Sequence, residues 1–200
     1  MIYLYSGTPG SGKSLHQASD IYWWVRNGKP CITNFEINRN CIVTKKPILQ
    51  YYCPNDQLTP EKLIKFSQIY FKDHKFHEGS IRLYLDECQL LFNAREWNTQ
   101  GRKEWLSFFT QHRKYGYDIY LIAQFDRMID RQIRSLIEYE IVHRKVKNFG
   151  KWGILFNTIA GGNLFVAVKI WYPMKEKVSS EFFKGNKKYF NLYNTFSTFD

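Results

Sequence analysis

Eight residues near the start of the chain constrain its fold more than any others. Gly7-Thr8-Pro9-Gly10-Ser11-Gly12-Lys13-Ser14 satisfies G-x-x-x-x-G-K-[ST] at every fixed position. The chemistry requires these residue types. Gly7, Gly10 and Gly12 let the backbone curl so that its N–H groups point inward. Those groups, with the positive end of the helix that follows, cradle phosphates. Lys13 neutralises the terminal phosphates and Ser14 offers a hydroxyl to magnesium. Thr8, Pro9 and Ser11 complete the loop, and Leu15 ends the stretch expected to touch nucleotide. The setting agrees with the motif: Met1–Ser6 is a β-type run, and Leu15, Ala18, Tyr22 and Val25 recur at helical spacing until Asn27-Gly28.

A second segment carries the complementary chemistry. Ile81–Leu85 reads as a buried strand that ends on Asp86-Glu87. Ligands of open α/β sheets bind at the carboxyl ends of strands. There Asp86 is placed to join Ser14 in holding magnesium, and Glu87 to polarise an attacking water. Two solvated acids at a strand end are the alternative without the phosphate loop. Tyr117–Ala123 is a nearly continuous apolar run, as a central parallel strand should be, and Gln124 closes it. An amide there can sense the γ-phosphate or orient the water; an ordinary loop residue fits the position equally well.

The remaining pattern alternates strand and helix. Pro30–Ile37 reads as a strand, and residues 38–58 are irregular, with room for short strands at Ile42-Val43 and Ile48–Tyr52. Thr59-Pro60-Glu61 opens a helix to about Phe71, through a capping hydroxyl, a proline in the first turn and an acid. Arg102–Lys114 and Arg131–Ile137 read as helices and Glu138–Val146 as a strand. Trp152–Ile159 and Leu164–Tyr172 are expected to pair as a C-terminal antiparallel β-hairpin across Ala160–Asn163. The whole predicts one α/β domain over residues 1–200, with a largely parallel central sheet flanked by helices.

Charge and cysteine content narrow the setting. The formal net charge is +11, and residues 101–200 carry 17 Lys/Arg against 9 Asp/Glu. That half suits an anionic partner such as nucleic acid or a membrane surface, or simply solubility. The 36 aromatic residues (16 Phe, 14 Tyr, 6 Trp) fit an aromatic core or, more narrowly, stacking on bases. Cys31, Cys41, Cys53 and Cys88 form no CxxC pair, which argues against a zinc site or a secreted disulfide scaffold. His74 and His77 read as loop residues. The N-terminus lacks a signal peptide's basic region, and no run approaches the ~18–20 apolar residues of a membrane span.

Several segments together resemble the zonula occludens toxin family, which includes the assembly ATPases of filamentous phage. They are the phosphate loop, Leu85-Asp86-Glu87-Cys88-Gln89 with Phe92 and Arg95-Glu96-Trp97, and His112–Ile119 leading into Leu121-Ile122-Ala123-Gln124. Ile129-Asp130, Ile133-Arg134 and Asn191-Leu192-Tyr193-Asn194 extend the likeness across nearly the whole chain. Cys88 stands where the family commonly has alanine. The resemblance implies an ASCE-type P-loop NTPase that uses ATP and magnesium. It implies a cytoplasmic domain at the inner face of the host membrane, either anchored through a region outside residues 1–200 or belonging to a member that lacks the anchor. It implies a motor for virion assembly, extrusion or DNA translocation, with phage assembly or secretion components as partners. DNA translocases of the FtsK and HerA kind also end the corresponding strand in Gln, as Gln124 does here. It carries no implication of toxin activity for this domain.

A motor of this kind works as a homo-oligomer in which an arginine of one subunit reaches its neighbour's γ-phosphate. Arg113 is the first candidate, followed by Arg95, Arg127 and Arg134. Single-stranded DNA, if handled, would meet the basic segments His143–Lys151 and Lys169–Lys188. Two other readings are open at this point. Asp86-Glu87-Cys88-Gln89 with Phe92 also looks like a stretch of thymidine kinases, though the zinc lobe of that family has no counterpart here. The domain could also be a non-catalytic, nucleotide-dependent scaffold.

Overall fold

The computed structural model describes residues 1–93 and 101–193. In chain order it builds β1 (Ile2–Ser6), α1 (Lys13–Arg26), β2 (Cys31–Thr33), β3 (Gln50–Tyr52), α2 (Pro60–Asp73), β4 (Ile81–Leu85) and α3 (Arg102–Gln111). Then follow β5 (Tyr117–Ile122), α4 (Arg131–Arg134), β6 (Tyr139–Lys145), α5 (Gly150–Ile159), β7 (Leu164–Trp171), β8 (Glu176–Lys184) and α6 (Lys187–Phe190). The eight strands form one sheet in the order β3-β2-β4-β5-β1-β6-β7-β8. The six strands from β3 to β6 are parallel, and β7 and β8 are added antiparallel at the far edge.

Alternation along the central strands sorts side chains onto two faces. Ile2 and Leu4, Leu83 and Leu85, Ile119 and Leu121 all pack toward Leu63 of α2 and Trp105, Phe108 and Phe109 of α3. Tyr5, Tyr84, Tyr120 and Ile122 face the other way, against Ala18, Ile21, Tyr22 and Val25 of α1. The α1 face is thus built of stacked tyrosines, with ring centroids 4.9 Å apart for Tyr3–Tyr120 and 4.6 Å for Tyr84–Tyr120. Much of the aromatic content is therefore core. The expected start of α2 is also found: the Thr59 hydroxyl accepts from the Lys62 N–H, with Pro60 in the first turn.

The C-terminal hairpin is present, but with different partners from those expected. It is formed by β7 and β8, while residues Gly150–Ile159 are helical. A short continuous apolar run has no period that separates strand from helix, and Trp152–Ile159 is such a run. Gly153 permits the close packing of this helix, because a Cβ there would sit 2.2 Å from the Val146 carbonyl oxygen. Asn157 then closes the turn by accepting from the Leu164 N–H at 3.1 Å. β8 escapes sequence patterning because an edge strand tolerates charge on both faces, and it is exposed along most of its length. Ile42-Val43 forms no strand, whereas Gln50–Tyr52 does.

Candidate nucleotide site

β1 delivers the chain to the loop and β5 holds it there. Ala123 N–H donates to the Tyr5 carbonyl at 3.1 Å, and Gly7 N–H donates to the Gln124 carbonyl at 3.1 Å. The loop then turns on Ser11 N–H to the Thr8 carbonyl, and α1 starts with His16 N–H on the Gly12 carbonyl. Glycine is required at two of its positions. Gly7 has φ +138°, and a Cβ there would lie 2.5 Å from the His143 carbonyl oxygen. Gly12 has φ +99°, and its Cβ would strike the Phe165 ring at 2.7 Å. The outer strands β6 and β7 therefore press directly on the loop.

Lys13 folds back across the loop, its ammonium donating to the Gly7 carbonyl at 2.5 Å and the Thr8 carbonyl at 3.3 Å. Burial lowers its pKa, and the carboxylates of Asp86 and Glu87 act against that shift. A cation held over a glycine-rich loop at a helix N-terminus is the arrangement a polyphosphate needs.

Asp86 lies just beyond β4 and is clamped by its backbone. Its N–H donates to Asn34 Oδ1 at 2.8 Å, and its carbonyl accepts from Asn34 Nδ2 at 2.9 Å. The carboxyl is buried, and burial raises its pKa to about 6, against the hydrogen bonds from Tyr193 and the Glu87 N–H. Tyr193 Oη donates to Asp86 Oδ2 at 2.8 Å. Glu87 has φ +45° and ψ +44°, a left-handed conformation uncommon outside glycine. Strain of that kind clusters at functional sites. Gln89 Nε2 donates to Glu87 Oε2 and restrains the side chain.

Hard oxygen donors, such as the Ser14 hydroxyl and the Asp86 carboxylate, suit magnesium. The loop also has room for phosphate oxygens. Ser11 Oγ is buried without a hydrogen-bond partner, and the space beside Gly10 is open. The donor set therefore fits magnesium with a nucleotide polyphosphate.

Two clefts open beside the loop. One, of about 450 Å³, has Gly7, Thr8, Gln124, Asp126 and Arg144 in its walls. Gln124 is thus at the site. The other, of about 230 Å³, runs along Gly10–Leu15 beneath Phe165, Phe190 and Tyr193.

Arg113 is elsewhere. Its Nη2 pairs with Glu138 Oε2 at 2.6 Å, and Glu138 Oε1 accepts from the Ile2 N–H. This is the edge where β1 and β5 begin, about 17 Å of strand from the loop. Arg113 is therefore not part of the site built by its own chain. Its place at the end of the helix that follows Glu87 is a position along the sequence and says nothing about which sheet edge a residue reaches. Arg127 is exposed in the turn after β5, Arg134 is half-buried at the end of α4, and Arg95 falls outside the described residues. Asn34, Tyr193, Phe165 and Arg144 join the site without having been expected there. A basic strand end next to a phosphate loop was the available signal for Arg144.

Fold and site together define a P-loop NTPase architecture. The family described as Zonular occludens toxin (Zot) matches residues 1–199, and the chain belongs to it. The Gene 1 protein of Enterobacteria phage I2-2 is 27% identical over 173 residues, covering 82% of this chain and 46% of that protein. The chain thus spans about half the length of that relative. Among solved structures, the N-terminal domain of zonular occludens toxin from Neisseria meningitidis superposes with a TM-score of 0.57 at 18% identity. That match covers 96% of this chain and 98% of the other. The genome packaging NTPase B204 of Sulfolobus turreted icosahedral virus 2, in complex with ATP-gammaS, gives 0.55 at 15% identity over 92% and 97% of the two chains. Among the described residues, no helix is long and apolar enough to cross a membrane.

Proposed function

We propose that this domain binds ATP with magnesium, hydrolyses it, and works as the motor domain of a phage assembly or packaging machine. The observation that carries the reading is the joining of two elements at one sheet edge. The Lys13 loop at the end of β1 and the Asp86-Glu87 pair at the end of β4 act on each other electrostatically. The names of the relatives and of the packaging NTPase supply the setting.

In this reading the loop N–H groups not spent on carbonyls, those of Gly10, Gly12, Lys13 and Ser14, bind the phosphates together with the Lys13 ammonium. Magnesium, when held by Ser14 and Asp86, screens their charge. Glu87 takes the proton from the attacking water as its oxygen bonds to the γ-phosphorus and the bond to the β–γ bridging oxygen breaks. Gln124 senses the γ-phosphate or orients that water. The subunits assemble as a homo-oligomer, and Arg113, lying on the far sheet edge, acts on a neighbour's nucleotide. Phage assembly or secretion components, single-stranded DNA and a membrane contacted through regions outside these residues complete the proposed partners. The domain would then work at the inner face of the host membrane.

The test is ATP hydrolysis at several protein concentrations, with and without single-stranded DNA. The expected rate per subunit rises with concentration and with DNA. Glu87→Gln is expected to keep nucleotide binding while cutting turnover by ~10²–10⁴, the usual worth of a general base. Normal turnover in that variant removes Glu87 from the mechanism, and the absence of hydrolysis under every condition overturns the reading.

A further inference from the structure

The cleft along Gly10–Leu15 lies on the other side of the loop from Gln124 and is walled by aromatic rings. Its volume is about 230 Å³. That is below the ~300–1,000 Å³ of pockets for whole drug-sized ligands and suits a base with part of a sugar. Phe165 forms one wall, with its ring against Gly12. The other wall is the segment after β8, where Phe190 stays 50% exposed although the cleft lies beside it.

That segment is tied down at both ends. Gly185 N–H donates to the Asn163 carbonyl at 2.8 Å, and Asn38 N–H donates to the Leu192 carbonyl at 2.8 Å. Between them Asn186 caps α6 through Oδ1 on the Lys188 N–H. Tyr189 Oη accepts from Trp23 Nε1 of α1 at 3.1 Å, and Tyr193 reaches Asp86. The strap thus crosses from β8 over α1 to the end of β4, and it presents Phe190 to the cleft.

We propose that this strap forms the nucleobase subsite, with Phe190 stacking on the base of a bound purine nucleotide. The assignment rests on the phosphate-site reading above. The phosphates occupy the loop, and Gln124, placed to sense the γ-phosphate, opens on the other cleft. The base therefore leaves on the side of Gly10–Leu15. Among the described residues, no carboxylate or side-chain amide lines this cleft. Its polar side chains are committed elsewhere: Ser11, Lys13 and Ser14 to the phosphate loop, Tyr189 to Trp23 and Tyr193 to Asp86, so adenine and guanine are held alike by their faces.

The experiment is titration calorimetry of the full chain with ATP, GTP and inorganic tripolyphosphate. Stacking of a base on an aromatic side chain predicts that Phe190→Ala weakens ATP and GTP alike by about 5- to 150-fold. Tripolyphosphate binding is expected to stay unchanged, and Phe190→Trp to keep ATP affinity. Equal weakening of tripolyphosphate would mean that Phe190 only props the loop, and unchanged ATP affinity in Phe190→Ala would mean that the base lies elsewhere. Either result overturns the subsite. A wild-type preference for ATP over GTP of more than roughly tenfold overturns the face-only recognition. Failure of the underlying site looks different, because Lys13→Ala would then leave both ATP and tripolyphosphate binding intact.

Discussion

Asn34→Ala tests whether the Asp86 strand tip is held by a side chain 52 residues earlier in the sequence. Asn34 is 2% exposed and spans Asp86 with two hydrogen bonds of 2.8 and 2.9 Å. Alanine leaves the Asp86 N–H and C=O without that partner in a buried position. A buried polar group stripped of its partner costs about 1–3 kcal/mol, so the pair amounts to roughly 2–6 kcal/mol. Domains are stable by about 5–15 kcal/mol, so the variant is expected to fold. At ~2–4 °C per kcal/mol for a chain of this size, its Tm should fall by roughly 4–24 °C. Function should suffer more than binding. Displacing a catalytic group by about 1 Å can cost ~10²-fold in rate, whereas nucleotide affinity without magnesium, which depends on Lys13 and the loop, should change less than about threefold. The assays are chemical denaturation, calorimetry in chelator and steady-state hydrolysis. A stability loss under about 1 kcal/mol, or a loss of affinity as large as the loss of rate, would refute the reasoning.

Lys13→Ala should abolish binding of ATP and tripolyphosphate in calorimetry, because it removes the cation folded over the loop. Arg113→Ala should leave nucleotide affinity unchanged and lower hydrolysis only at concentrations where subunits associate; a concentration-independent loss would point to the Glu138 pairing instead. His143 supplies a pH test. It is 1% exposed, and burial pushes its pKa down to about 3, with His16 Nδ1 at 2.8 Å acting in the same direction. The unfolded imidazole titrates near ~6.5, so its contribution is full above that pH and is lost as pH falls toward 3, at up to about 1.4 kcal/mol per pH unit. The raised Asp86 carboxyl works the other way, because a folded pKa of about 6 favours the folded state as pH drops below it. His143→Gln shares that opposing part, so wild type should lose stability faster than the variant between pH 6.5 and 5 in denaturation experiments. Parallel curves would rule out the imidazole.

What the sequence made legible was local, and what it concealed was long-range. The phosphate loop, the strand ending on Asp86-Glu87 and the cap at Thr59 each declare themselves within a few residues, since turn, cap and strand-end chemistry all act over that range. The parallel strands were readable as apolar runs because both faces of the sheet are covered. The failures share a different cause. Trp152–Ile159 has no period that separates strand from helix, and its packing against Val146, which Gly153 permits, is a contact local pattern does not show. Arg113 ends the helix that follows Glu87 in sequence, but sheet register puts it beside Glu138 at the edge where the strands begin, so the nucleotide it is proposed to act on is a neighbour's. Tyr193 is the sharpest case. Nothing near it in sequence calls for a phenol on a carboxylate 107 residues earlier. The contact exists because β7 and β8 carry the chain back to the loop's edge of the sheet, leaving the strap to cross α1. A site assembled this way answers to sequence only through the topology. The strap's part in binding therefore has to be tested on Phe190 and Tyr193 themselves, whose places in the cleft no local pattern announced.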